Sequence, residues 1–396
     1  MLLTYKVMLH PNNRQATVLL LYAKAARFAY NWALAREKEN YKNGGKFLSH
    51  QVLRKEFTQL KKMPENQWLS DVDCDVTKQA IKDLVRAFGN FFEGRARYPK
   101  PKDDGQVRLS FYQDPVKLQV SEQHVKLVLV TGKGKAASRR AKIFDRVKLA
   151  EKNRIPVNAA YKNPRVTFDG LHWWISVTAE AEKKPCHMPE SDGIGIDLGV
   201  KELAVCSDGT VVHNINKAEK VIKLQRKKKY LQRAIARKYK KNKERGSYRR
   251  SRNIIKSKIR KRKLEQRIKN LCNDHIRRAI QGILDKHPAF IGLEDLNVKG
   301  MLKNHKLARS IQEVRLGSFR TILKPMANAL NIPVIEILRW YPSSKTCSDC
   351  GYIKHDLTLN ERIYKCPACG LIIDRDLNAA INIREYARNE ISAVIS

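Results

Sequence analysis

The chain has 396 residues, 42% of them hydrophobic, enough for a sizeable core over two or three domains, which excludes a wholly disordered polypeptide. Lys and Arg number 79 against 39 Asp and Glu, a net charge of +40. Solubility alone needs a net charge of only ~2–8 on a small domain, so the excess calls for a polyanion, and nucleic acid fits because each neutralised phosphate releases counterions.

The opening MLLTYKVMLHP is a short apolar run without the basic lead, long apolar stretch and small-residue cleavage site of a secretory signal. No run of eighteen apolar residues occurs, so no membrane segment is expected and the protein is expected inside the cell. Residues 2–9 alternate as a strand. Pro11, Asn12 and Asn13 open a long amphipathic helix with Leu19, Tyr22, Ala26, Tyr30 and Leu34 on its stripe, ended by Gly44 and Gly45. Ser49 is placed to cap a second helix, and a third runs from about Val76 to Phe92 with Leu84, Phe88 and Phe91 on one face. Residues 106–180 read as short β segments, Val107–Tyr112, Val125–Val130 and Trp173–Thr178, between Gly, Pro and Asp. The first half is thus a helical insertion carried on a small β domain. Glu182–Asp192, with Pro185 and Pro189, marks a polar boundary.

Gly193–His213 reads as a run of closely connected strands. From Lys217 to Lys269 there are 25 Lys or Arg against 3 Asp or Glu. Leu224, Leu231 and Ile235, then Ile255, Ile259 and Ile268, recur at helical spacing. They favour a pair of basic helices broken near Gly246 and Ser247 over a disordered basic arm. The clusters Arg226–Lys229 (Arg226, Lys227, Lys228, Lys229), Arg237–Lys243 and Arg260–Lys263 should meet phosphates without reading sequence. There is no internal repeat.

Three acids stand out beyond that point. GIGIDLGVKELAV puts Asp197 in an apolar strand, FIGLEDL puts Glu294 at the end of another, and DRDLNAAINI puts Asp376 just before a helical start. Each alone fits a turn, a cap or a salt bridge, and Asp374 reads as structural. Three together imply a partner, since unpaired buried carboxylates are costly. Oxygen-preferring Mg²⁺ or Mn²⁺ suits them, and two such ions ~3.5–4 Å apart activate water and stabilise the leaving oxygen of a phosphodiester.

Of the eight cysteines, four form two pairs: Cys347 and Cys350, fifteen intervening residues, then Cys366 and Cys369. That is zinc-ribbon spacing, a closed four-thiolate site for one structural Zn²⁺, and Gly351 and Gly370 follow as each knuckle turn requires. A redox dithiol is the alternative that two pairs at this spacing argue against. His355 reads as a surface residue, and the other four cysteines as small apolar fillers.

The three acidic segments resemble the RuvC motifs of TnpB, the transposon-encoded ancestor of the type V CRISPR effector nucleases. The likeness extends through ARFAYNWAL, AFGNFF with the following YPKPK, EDLNVKGM, and SSKTCSDCG leading to CPACG. It implies an α/β and mixed fold: an RNase H-like RuvC nuclease domain over 193–396, with basic helices at 217–287 and an inserted zinc ribbon at 343–373. An amino-terminal β wedge domain (1–10 and 96–184) would carry a helical recognition insertion (11–95). In the family the third acid is the Asp two residues before the Asn, here Asp376. The resemblance implies an RNA-guided DNA endonuclease in the cytoplasm of a prokaryotic cell. A guide RNA and double-stranded target DNA would be its partners, and cuts would fall at guide-matched sites beside a short target-adjacent motif. The matching motif-reading positions are Ser49, Leu53, Cys74, Asp75, Lys78, Tyr112 and Gln113. Lys78 suits guanine and Gln113 adenine in the major groove. A nuclease-inactive guided repressor is the second reading, disfavoured because all three acids are present. A strand-transferring transposase conflicts with the Asp-Glu-Asp order and the ribbon, and a compact type V CRISPR effector stays open.

Overall fold

A computed structural model describes residues 2–102, 109–129, 145–180, 191–244, 247–248, 251–358 and 361–395. It divides into two units, Met1–Glu182 and Lys183–Ser396. Most of the Glu182–Asp192 boundary, Gly246 and the ends of two expected strands (Val107 and Val130) lie outside the described residues.

In the first unit β1 (Leu2–His10) leads into α1 (Asn13–Lys42), which starts on a capping box. Asn12 Oδ1 accepts the Gln15 N–H at 2.8 Å, and Gln15 Oε1 accepts the Asn12 N–H at 2.9 Å. The expected stripe is the buried one: Leu19, Tyr22, Ala26, Tyr30 and Leu34 all face the core. Then come α2 (His50–Leu60), capped by Ser49, and α3 (Cys74–Phe92), capped by Asp73. The chain returns through β2 (Leu109–Tyr112), β3 (Gln119–Val120), β4 (His124–Lys126), β5 (Arg146–Leu149), β6 (Lys162–Phe168) and β7 (Trp173–Glu180). These form one antiparallel sheet, order β2-β6-β7-β1-β5-β4-β3, so the helices are an insertion between its first two strands in sequence. One hydrophobic core joins the α1 stripe to Phe111, Val166, Ile175 and Val177 of the sheet.

The second unit is built on β8 (Ile194–Leu198), β9 (Glu202–Cys206) and β10 (Val211–His213), an antiparallel meander. Two basic helices follow, α4 (Glu219–Lys241) and α5 (Arg252–Leu284), with the short paired strands β11 (Lys243–Glu244) and β12 (Ser247–Tyr248) between them. Next, β13 (Ile291–Glu294) and β14 (Val334–Ile337) extend the sheet in parallel, separated by α6 (His305–Val314) and α7 (Leu316–Asn328). The order is β10-β9-β8-β13-β14. β15 (Ile363–Lys365) and β16 (Ile372–Asp374) make a small hairpin before the last helix, α8 (Arg375–Ile395).

Alternation along the two central strands assigns their faces. Ile194, Ile196, Ile291 and Leu293 pack into a core with Ile276, Ile280, Phe319 and Leu323 from α5 and α7. The other parity carries Gly195 and Gly292, and here α8 lies against the sheet. An added Cβ on Gly195 would meet the Ala380 carbonyl oxygen at 2.0 Å, and one on Gly292 the Ile383 carbonyl oxygen at 2.8 Å. The glycines thus form the seat in which the last helix rests.

Candidate active site and zinc ribbon

The glycine seat also brings the three acids to one place. β13 runs parallel to β8 with Gly292 opposite Gly195 and Leu293 opposite Ile196, so one step further along Glu294 comes beside Asp197. Asp197 shares a face with Gly195, and Glu294 with Gly292, two residues apart in each strand. On α8 the residue that presses on Gly195 is Ala380, and Asp376 stands one turn before it on the same helix face. Asp374 Oδ1 caps that helix by accepting the Asp376 and Leu377 N–H groups at 2.9 and 3.1 Å.

All three carboxylates are half-buried. Burial, then the charges of Glu294 and Asp376, push Asp197 up to about 8, with Arg375 pulling the other way. Burial also raises Glu294, with the neighbouring Asp295 adding to it. Two carboxylates this close to a third cannot all ionise without cost, so the proton released last belongs to the group of acids as a whole. Glu294 is held from behind: Asp295 accepts Arg320 at 2.7 Å and Arg339 at 2.5 Å, and Arg320 and Lys324 also pair with Glu336 on β14 at 2.6 and 2.7 Å. The chemistry of this donor set fits a hard divalent cation: oxygen ligands only, at one end of one sheet, with a charge conflict at Asp197 that a cation would relieve. Their oxygens are not drawn as tightly together as the four thiols described next.

Those thiols meet the geometric test for zinc. Sγ of Cys347 lies 3.6 Å from that of Cys369, and Sγ of Cys350 lies 3.5 Å from that of Cys366. A tetrahedron of Zn–S bonds of ~2.3 Å has sulfur edges of ~3.8 Å. The two knuckles repeat one design. The Cys347 and Cys366 N–H groups donate to Tyr352 and Leu371, and Gly351 and Gly370 turn back at φ of 76° and 78° to donate to Cys347 and Cys366. Burial resists it, but the Cys369 and Ala368 N–H groups bring the Cys366 thiol down to about 6.

Two buried asparagines of α8 fasten the ribbon to the helix of Asp376. Asn378 Nδ2 donates to Thr346 O at 2.7 Å while its Oδ1 accepts the Ser348 N–H at 2.9 Å. Asn382 Nδ2 donates to Ser343 O and Thr346 O at 2.7 and 2.6 Å. Sequence reading missed both, and also the glycine seat. For the asparagines a signal was there, two Asn four residues apart on an amphipathic helix; the matching Gly positions of GIGID and FIGLED gain meaning only from the strand register and the helix above them.

The candidate base readers are placed less simply. Lys78 Nζ is 3.4 Å from Asp75, whose other oxygen takes Lys117 at 2.5 Å, and Lys117 also holds Asp73. That ammonium fills the only other tight acid–thiol group among the described residues, Asp73, Cys74 and Asp75. Leu53 is buried, and Tyr112 is half-buried under Arg165. Gln113 is 4% exposed, and its Oε1 accepts the Val128 N–H at 3.3 Å, so the side chain is committed to the unit's interior as it stands. Arg226, Lys227 and Lys229 are exposed on α4 and Lys228 is half-buried, beside the exposed Tyr230. No described helix is long and apolar enough to cross a membrane.

Three family models match: "Cas12f1-like, TNB domain" over residues 317–383, "Probable transposase" over 176–305, and "Helix-turn-helix domain" over 1–46. In this chain residues 2–42 form one strand and one long helix rather than a helix pair. "Putative RNA-guided DNA endonuclease InsQ" of Escherichia coli K12 is 30% identical over 395 residues, covering 96% of this chain and 90% of that protein. "Putative RNA-guided DNA endonuclease" of Streptomyces pristinaespiralis is 28% identical over 380 residues, 96% and 88% of the two chains. Among solved structures, the protein of a Cas12f1–sgRNA–target DNA complex superposes with a TM-score of 0.58 at 15% identity, covering 93% of this chain and 82% of that one.

Proposed function

This chain belongs to the TnpB-like family of RNA-guided DNA endonucleases, and from that premise we propose that Asp197, Glu294 and Asp376 are its catalytic acids and magnesium ligands. The protein is an RNA-guided DNA endonuclease, its partners a guide RNA and a double-stranded DNA target. The carrying observation is the register that sets Gly195 against Gly292 under one helix, because it delivers three acids from three separate segments to one end of one sheet. Bound there, divalent cations would supply an activated water and stabilise the leaving oxygen of a phosphodiester. The chain's own contribution is placement. Two strands fix Asp197 and Glu294, the cap from Asp374 orients Asp376, and the Asp295–Arg320 pair keeps the end of β13 from moving. The fold reading is an RNase H-like RuvC domain over 193–396 with a zinc ribbon at 343–373, and a β wedge domain with a helical insertion at 11–95. Cys347, Cys350, Cys366 and Cys369 hold the one structural zinc, and Lys78 and Tyr112 face the target-adjacent motif. Gln113 joins them only if it leaves Val128. Arg226–Lys229 contact guide or heteroduplex phosphates, recognised by shape and charge rather than sequence.

The test offers one DNA to protein purified free of nucleic acid and to protein reloaded with the RNA that co-purifies with it. Site-specific cutting should require that RNA and Mg²⁺ together, and EDTA should stop it. Efficient site-specific cutting by the RNA-free protein would overturn the guided mechanism.

A further inference from the structure

At the carboxyl end of β14, Leu338 O accepts the Tyr341 N–H at 3.0 Å and closes a tight turn with Arg339 and Trp340 at its tip. Trp340 is 89% exposed and Leu338 68%, although the residues on either side are fixed. The Tyr341 ring packs 4.8 Å from that of Tyr386, and Arg339 is bound to Asp295. An indole held in solvent on a rigid turn is unusual, because burying it would gain several times the free energy of an ordinary contact. The turn and Asp295, Glu336 and Ile337 line an open cavity of about 610 Å³. β14 runs parallel to β13 with Ile337 opposite Glu294, so the turn that follows it stands at the same end of the sheet as the proposed catalytic acids, while Asp295 and Glu336 line the cavity from the other face.

Its chemistry selects the occupant. Arg320, Lys324 and Arg339 border it against Asp295 and Glu336, and Arg339 keeps 46% of its side chain exposed. A flat apolar face inside an ionic rim with a surplus cation suits a ligand with a π face on an anionic tether. A protein partner would want a broader apolar patch than Trp340 and Leu338 provide. We propose that Trp340 is a stacking platform for a nucleobase of the DNA strand being led to Asp197, Glu294 and Asp376. The proposal rests on the nuclease reading above and adds a positioning residue to it.

Single-turnover cutting of a preformed protein–guide–target complex tests it, alongside target binding. Trp340→Ala should slow cutting about tenfold, the scale set by base–aromatic stacking. Trp340→Phe should restore most of the rate, and guide and target binding should match wild type in both. A second readout needs no cutting. In the Asp197→Ala background a single-stranded oligodeoxynucleotide should quench tryptophan emission, and most of that quenching should vanish with Trp340→Phe. Wild-type cutting by Trp340→Ala, or quenching unchanged by Trp340→Phe, overturns the platform. A wild-type protein that never cuts overturns the nuclease reading instead, while quenching that depends on Trp340 would still support the platform.

Discussion

Gly195 and Ala380 touch backbone to backbone: a Cβ on the glycine would stand 2.0 Å from the alanine carbonyl oxygen. The strand carrying Asp197 and the helix carrying Asp376 are thereby pressed together as closely as the chain allows. Gly195→Ala should destabilise the second unit by ~3 kcal/mol or more and abolish cutting, since a backbone atom cannot rotate away. Gly292→Ala, whose nearest atoms lie at 2.8 and 3.0 Å, should cost less, ~1–2 kcal/mol. Gly282, exposed inside α5 with nothing within 4 Å, is the control, and its change to Ala should stabilise by ~0.5–1 kcal/mol. Urea melts of the three variants check the ranking.

The acids themselves act at the chemical step. Asp197→Ala, Glu294→Ala and Asp376→Ala should each reduce cutting by at least ~10³-fold while leaving RNA and target binding nearly unchanged. Asp374→Ala should differ in kind. It removes a helix cap worth ~1 kcal/mol and should lower both stability and rate modestly. Near-wild-type cutting by Asp376→Ala would show that the third ligand has been misassigned.

These two cases show what the sequence made legible. The acids were visible because carboxylates in apolar strands are anomalous in one dimension. Helices α1 and α3 were visible because their stripes, from Leu19 to Leu34 and from Leu84 to Phe88, recur at helical spacing. The glycine seat was not, because GIGID reads as a strand whatever lies over it, and only the register with FIGLED and the arrival of α8 give Gly195 its function. Gln113 was legible as a polar residue after a strand, but its burial depends on Val128, fifteen residues away, offering an N–H that needed an acceptor.

Zinc loss should spread from the ribbon to the catalytic helix. Elemental analysis should find about one zinc per chain, and Cys366→Ser should lose it. Since Asn378 and Asn382 bind the first knuckle to α8, freed ribbon strands should raise amide exchange around Asp376 as well as around Cys366. Asn382→Leu should keep the zinc yet show the same loosening of α8, which separates the latch from the metal. Full zinc retention by Cys366→Ser would refute the ribbon.

In the first unit, acid should act through Asp75. Burial opposes its ionisation, but hydrogen bonds and charge from Lys117, with Lys78 nearby, hold its carboxyl below the ordinary range. A carboxylate depressed in the folded state stabilises it above its unfolded pKa of ~3.9, and this contribution is lost as pH falls through the lower folded value. Lys117→Met should therefore cost ~1 kcal/mol at pH 7, a modest figure because Lys117 is 39% exposed, and less at pH 2. Denaturation midpoints compared across that range give the answer. An equal penalty at both pH values would mean that Lys117 stabilises by packing rather than by charge.

The +40 charge should divide cleanly from target choice. Arg226, Lys227 and Lys229 stand exposed along α4 beside Tyr230, the arrangement for phosphates rather than base edges. Replacing Arg226–Lys229 with Gln should weaken RNA binding of every sequence alike. It should also flatten the salt dependence, by ~0.7–0.9 in log K against log salt for each phosphate that is no longer neutralised. Cut positions and motif preference should not change. Lys78→Ala should do the reverse, shifting the preferred target-adjacent motif with little effect on RNA affinity. It should also leave the Lys117 bridges to Asp73 and Asp75 standing, so loss of fold is not expected to confuse the result. Gln113→Ala tests the boundary between reading and packing. Because its Oε1 accepts the Val128 N–H inside the unit, the change should cost ~1–3 kcal/mol of stability before any change in motif is seen. A library of randomised flanks cut by each protein gives the motif directly. If Gln113→Ala is as stable as wild type and changes the motif, the bond to Val128 is not the state in which DNA is read.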